Sequence, residues 1–253
     1  MAGVSGRVYS VSGAASGIGR ATVVRLASLG ARALAISDLN EAGLNETKRL
    51  CENYHSTIIT KVLDVRKATD VDQWIEETVT RFGKLDGAAN VAGLAGGDGS
   101  NVGSLNHNDW DRMIGVNLTG VMNCMHAQLQ SITRPGGSIV NVASTSGLRG
   151  FPNNSAYSSS KFGVIGLTLS AAGEYGSEGI RINAILPGPI NTPIIRDGEK
   201  RGLFDAAAIY NSTLMKRLGE VDEVAKVLCF MLSDDASYVT GAQWTVDGGY
   251  SAC

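Results

Sequence analysis

Short apolar runs and amphipathic stretches alternate along most of this chain. The runs at 7–12 (RVYSVS), 33–37 (ALAIS), 57–63 (TIITKVL), 85–91 (LDGAANV), 137–142 (GSIVNV), 180–186 (IRINAIL) and 242–246 (AQWTV) are compact and mostly bounded by turn-forming residues. They predict seven strands. Between them, hydrophobic residues recur at helical spacing. Helices are expected after the glycines near 17 and through 29, then over 40–53, 68–82, 106–132, 155–178 and 220–232. In the third of these, Val71, Trp74, Ile75, Thr78, Val79 and Phe82 form one stripe, the mark of a helix lying on a core. Strand–helix alternation predicts an α/β domain, a parallel sheet with helices on both faces. No repeat or domain boundary interrupts it, so a single domain over 1–253 is expected.

One segment breaks the rhythm. Residues 191–218 mix Ile194, Ile195, Leu203, Phe204, Ile209, Tyr210, Leu214 and Met215 with charged residues. Short helices forming a lid are expected there, and their apolar content points to a hydrophobic small-molecule substrate. The alternative is that these residues only bury the lid against the core. A second glycine-rich stretch, 94–104, reads as a mobile loop at the carboxyl edge of the sheet.

Composition narrows the function. With 253 residues the chain is long enough for a large core, and 43% hydrophobic against 18% charged residues is ordinary for a globular protein. A net charge of −2 gives no footprint for nucleic acid or an anionic membrane. Thirty-two glycines and five prolines suit tight turns. No apolar run reaches membrane-spanning length, and the first ten residues lack the apolar centre of a secretory signal. Cys51, Cys124, Cys229 and Cys253 are scattered, as are His55, His107 and His126. Free thiols, a reducing cytoplasmic setting and no metal site are expected.

The candidate chemistry lies where strands end. Gly13-Ala14-Ala15-Ser16-Gly17-Ile18-Gly19 joins the first strand to the first helix. Such a turn lets backbone N–H groups approach a pyrophosphate at the positive end of a helix; alone, it is also just a tight turn. Asp38 closes the second strand, near the usual distance of about 20 residues at which a carboxylate meets the adenosine ribose. No Arg or Lys occupies Ser16, Ser37 or Leu39, where a 2′-phosphate clamp would sit. NAD is therefore expected over NADP, although Asp38 could equally cap the helix after it. Asp64 and Val65 end the third strand, in reach of an adenine ring. Tyr157 and Lys161 are four apart on an expected helix, so they share a face. An ammonium beside a phenol favours phenolate and makes a group that moves protons near neutrality. Ser144 follows the fifth strand. Asn117, among Val116, Leu118, Val121 and Met122, is a polar amide that must find partners or mark a kink.

Together these residues resemble the short-chain dehydrogenase/reductase family, in its compact branch, over nearly the whole chain. The family's TGxxxGxG stands here as Ser12 to Gly19, with Ser12 keeping the hydroxyl of Thr. Its NNAG stands as Asn90-Val91-Ala92-Gly93, with Val91 at a usual Asn. The catalytic quartet corresponds to Asn117, Ser144, Tyr157 and Lys161. The Pro-Gly after the sixth strand is Pro187-Gly188, with Thr192 beyond. The resemblance implies a Rossmann-type doubly wound fold and an NAD(P)-dependent oxidoreductase. Tyr157 is then the acid or base, and Ser144 holds the reacting oxygen. Lys161 tunes Tyr157 and binds the nicotinamide ribose, while Asn117 holds a water. Asn90, Ala92 and Gly93 line the cofactor, and Ile190 and Thr192 face its carboxamide. It also implies a homotetramer or homodimer. An NADP-dependent biosynthetic reductase, a non-redox enzyme on the same fold, and a cofactor-sensing scaffold are the competing readings.

Overall fold

In a computed structural model, residues 3–95, 99–200 and 206–252 are described. Leu203, Phe204 and Cys253 lie outside them, as do the side chains of Ile194 and Ile209. Seven strands form one sheet: β1 (Val8–Ser12), β2 (Ala33–Asp38), β3 (Thr57–Val62), β4 (Gly87–Asn90), β5 (Ser138–Val142), β6 (Arg181–Pro187) and β7 (Gln243–Val246). Their order is β3-β2-β1-β4-β5-β6-β7, and every neighbouring pair is parallel. The order reverses between β1 and β4, so the crevice at their carboxyl ends is where a doubly wound sheet takes its ligand.

The helices are α1 (Gly17–Ser28), α2 (Glu41–Arg49), α3 (Ala68–Phe82), α4 (His107–Ile114), α5 (Gly120–Ser131), α6 (Ser155–Tyr175), α7 (Pro193–Lys200), α8 (Ala206–Asn211) and α9 (Val221–Leu232). On one face α1, α2 and α9 bury Val23, Leu26, Leu44, Val224 and Leu228 against Tyr9, Val11, Leu34 and Ile36. On the other, α3, α5 and α6 bury Trp74, Ile75, Met125, Val164 and Ile165. The central strands are buried along their length because both faces are covered.

Three expectations are corrected. The helix over 40–53 stops at Arg49, and the chain turns through Tyr54 before β3. Its cap is Asn40, whose side chain accepts from Gly43 N at 3.0 Å, so Asp38 is not the cap. The single helix over 106–132 is two helices joined by one π turn, Gly115–Thr119. The segment 191–218 contains α7 and α8 as short helices, and its ends are stitched together: Asn191 N donates to Gly219 O at 2.8 Å and Gly219 N to Pro189 O at 2.9 Å.

Candidate active site

The glycine-rich turn is built by close approach. Gly13 has φ +68°, and a Cβ there would lie 2.6 Å from the Ala92 backbone; a Cβ on Gly19 would lie 2.0 Å from Gly13 O. Only glycine lets α1 start this close to β1 and β4. Ser12 Oγ accepts from Val91 N (3.2 Å) and Ala92 N (3.3 Å), so the hydroxyl retained at that position joins the two strand ends. Gly17, at φ +52°, faces the loop after β6. A Cβ there would be 3.6 Å from the Thr192 methyl.

This turn fits a dinucleotide. Ser16, Gly17, Ile18 and Gly19 open α1 with no side-chain cap and no acidic residue in the first turn. α2 and α4 are capped by Asn40 and Asn106 and α9 by a capping box, while α3 and α6, like α1, start without a side-chain cap. Uncapped N–H groups at a helix start are donors for an anion. Asp38 is held in place: its carboxylate accepts from Ala15 N and Asn40 N, both at 3.0 Å. Leu39 beside it is exposed. Asp64 is occupied by Arg66, which holds its carboxyl below the usual range through a hydrogen-bonded ion pair. Val65 is buried, with its carbonyl taken by Asn123.

The candidate catalytic side chains come from the end of β5, from α6 and from the π turn. Ser144 follows β5 in extended backbone, and its Oγ accepts from Ser146 N at 3.1 Å, leaving its proton to give. A 3-10 turn at Thr145–Gly147 then lies directly on α6: a Cβ on Gly147 would be 2.8 Å from Lys161 O. Lys161 is 4% exposed and donates to Val142 O at 2.9 Å, with its ammonium 5.7 Å from the Tyr157 ring centroid. Burial pushes the lysine from 10.5 down to about 8. Tyr157 is raised above the ordinary phenol value by burial, and the nearby Ser144 hydroxyl works against that rise. The expected lowering of Tyr157 by Lys161 is therefore corrected for the chain by itself. Desolvation raises the phenol and weakens the ammonium alike, with Lys161 making no contribution to the Tyr157 shift.

Asn117 is fully buried in the π turn. Its Oδ1 accepts from Leu94 N at 2.7 Å; its Nδ2 donates to Leu94 O (2.9 Å), Met113 Sδ (3.1 Å) and Ser160 Oγ (3.2 Å). The side chain thus clasps the turn after β4, and its amide hydrogens are committed. A Cβ on neighbouring Gly93 would lie 3.3 Å from Asn117 Oδ1 and 3.6 Å from Lys161 Nζ, so these three groups meet. Pro187 ends β6, Gly188 N donates to Val246 O, and Ile190 and Thr192 are buried beyond.

Sequence reasoning named Asn90 but missed the partners that make it a support. Asn90 donates to Gln128 Oε1 (3.0 Å) and Asn141 Oδ1 (2.9 Å); Gln128 donates back to Asn90 Oδ1 (2.9 Å). Asn141 continues to Thr168 Oγ1 at 2.9 Å. This buried amide network ties β4 and β5 to α5 and α6. Polar residues in the otherwise apolar strands GAAN and SIVNV were the available signal. No group of three metal-binding side chains occurs, and no helix is long and apolar enough to cross a membrane, among the described residues.

A family profile described as "Enoyl-(Acyl carrier protein) reductase" matches residues 13–251. The chain is 44% identical over 250 residues to short-chain dehydrogenase/reductase aba4 of Botryotinia fuckeliana, covering 96% of each chain. It is 40% identical to levodione reductase of Leifsonia aquatica (97% and 94% covered) and 39% identical to cyclohexanol dehydrogenase of Acinetobacter sp. (97% and 95%). The crystal structure of levodione reductase superposes with a TM-score of 0.92 at 38% identity, covering 98% of this chain and 99% of that one. That of a variant of actinorhodin polyketide ketoreductase with NADPH gives 0.91 at 28% identity, with full coverage of both.

Proposed function

The chain belongs to the short-chain dehydrogenase/reductase family, and from that premise we propose that it interconverts a hydrophobic secondary alcohol and its ketone, with NAD(H) preferred. The observation that carries the reading is Tyr157 beside both Ser144 and a buried Lys161, next to an uncapped glycine-rich helix start. The dinucleotide, when bound, supplies the hydride chemistry. Tyr157 gives its proton to the carbonyl oxygen in reduction and takes the carbinol proton in oxidation. Ser144 donates to the same oxygen and holds it against Tyr157. The phenol is protonated at neutral pH and so can give its proton in ketone reduction; oxidation gains as pH rises. Lys161 holds the nicotinamide ribose, and Asn117 fixes the turn after β4 that bounds it.

Asp38 supports NAD. Its carboxylate, held at the end of β2 by Ala15 N, is an acceptor suited to ribose hydroxyls and would repel a 2′-phosphate. An NADP-dependent ketone reductase is the second reading, favoured by the similarity to the NADPH-bound ketoreductase. Exposed Leu148, Leu214 and Met215 support an apolar substrate beneath a lid at 191–218, as do relatives named for cyclohexanol and levodione. Met122, Phe162 and Leu169, exposed on α5 and α6, support a homotetramer or homodimer.

The test is a screen of secondary alcohols and cyclic ketones with each nucleotide, following nicotinamide absorbance. Tyr157→Phe is expected to abolish turnover while keeping nucleotide affinity. Near-normal turnover in that variant, or substrate consumption without change in nicotinamide absorbance, overturns the proposal.

A further inference from the structure

The connector between Ser144 and Tyr157 has two halves. Residues 143–147 are buried on α6, but Leu148, Arg149 and Gly150 are exposed and Asn153 has φ +60°. Among the described residues, the side chains of the outer half tie it to one place, the carboxyl-terminal turn. The Arg149 guanidinium lies 5.0 Å from the Phe151 ring centroid and 5.0 Å from that of Tyr250. It also donates to Tyr250 O at 3.4 Å. The two rings stack at 6.1 Å with an 18° interplanar angle.

The turn they grip is itself braced. Asp247 accepts from Gly249 N, Ser251 N and Ser251 Oγ at 2.9, 2.9 and 2.5 Å. A Cβ on Gly188 would lie 2.5 Å from Asp247 Cβ, so the turn also abuts the loop after β6. On its far side Met215 N donates to Gly248 O at 3.1 Å, and Leu214 packs on Gly249. The carboxyl-terminal turn therefore touches the connector, the Pro-Gly loop and the base of the excursion at 191–218.

We propose that Arg149 is a positioning residue, which with Phe151 and Tyr250 clasps the Ser144–Tyr157 connector to the carboxyl-terminal turn and so sets the substrate side of the site. The inference rests on the ketone/alcohol reading for its kinetic consequence, though not for the clasp itself. A cation held over two stacked rings resists opening of a segment that has few other side-chain anchors among the described residues. Losing it leaves Ser144 in place, since that end is buried, and frees Leu148 and Phe151. Substrate binding then suffers more than nucleotide binding.

The experiment compares Arg149→Ala, Tyr250→Ala, their double variant, and the conservative Arg149→Lys and Tyr250→Phe. Hydrogen exchange of the 148–154 amides reads the clasp; ketone KM, kcat and nucleotide Kd read its effect. Both alanine variants are expected to speed exchange at 148–154 and raise the ketone KM about fivefold, the order of one cation–π contact of ~1 kcal/mol. Nucleotide Kd stays unchanged, and the double variant is no worse than the worse single one. Tyr250→Phe keeps ring and carbonyl and restores protection; Arg149→Lys keeps charge and restores it in part. Unchanged exchange in both alanine variants, or faster exchange with unchanged KM, overturns the clasp's positioning role. A wild-type chain that binds nucleotide yet reduces no ketone overturns the functional reading instead, and the exchange data still decide the clasp.

Discussion

Replacing Lys161 with methionine, which has similar length and no charge, separates what the site does from what the fold tolerates. The ammonium is 4% exposed, and burial brings its pKa from 10.5 to about 8. At about 1.4 kcal/mol per tenfold change in the proton equilibrium, holding it charged costs the fold roughly 3 kcal/mol. Losing its bond to Val142 O gives back about 1 kcal/mol. Lys161→Met is therefore expected to be about 2 kcal/mol more stable at pH 7, and inactive. The sign follows from proton binding: the unfolded lysine stays protonated to about 10.5, the folded one only to about 8. The wild-type chain thus gains stability as pH rises from about 8 towards 10.5, and the variant does not. Urea denaturation of both proteins at intervals from pH 6 to 10.5, without nucleotide, measures this directly. A variant less stable at pH 7, or a difference that does not shrink above pH 8, would refute the electrostatic reasoning.

Other outcomes follow from the same geometry. Asp38→Ala removes a carboxylate that repels a 2′-phosphate and is expected to shift the NAD/NADP ratio of kcat/KM towards NADP by tenfold or more, about 1.4 kcal/mol; initial rates with both nucleotides check it. Asn90→Ala strips the buried network of its centre, leaving Gln128 and Asn141 short of partners. A loss of about 2–3 kcal/mol in urea denaturation is expected.

Much of this was legible along the chain because period and punctuation agreed. The α3 stripe appears with the bounds Ala68–Phe82 expected of it, and strands ending in Gly, Asn or Asp delivered the site residues to one edge. What stayed hidden depended on partners far away. Gln128, Thr168 and Ser160 look like surface residues until the facing amides are known. The Arg149–Tyr250 contact spans 101 residues. The raised Tyr157 pKa depends on how much water the fold removes, which spacing does not encode. Asn117 was visible as an anomaly, but its π turn was not, since hydrophobic recurrence continues across it.

That π turn reaches further than the amide it carries. One residue advances a helix by about 100°, so the extra residue that aims Asn117 also sets the azimuth of all of α5. Val121, Cys124, Met125 and Gln128 face inward only in that phase. A deletion that restored α-helical winding at 115–119 would swing this row towards solvent. The wide turn and the interior that follows it therefore stand or fall together.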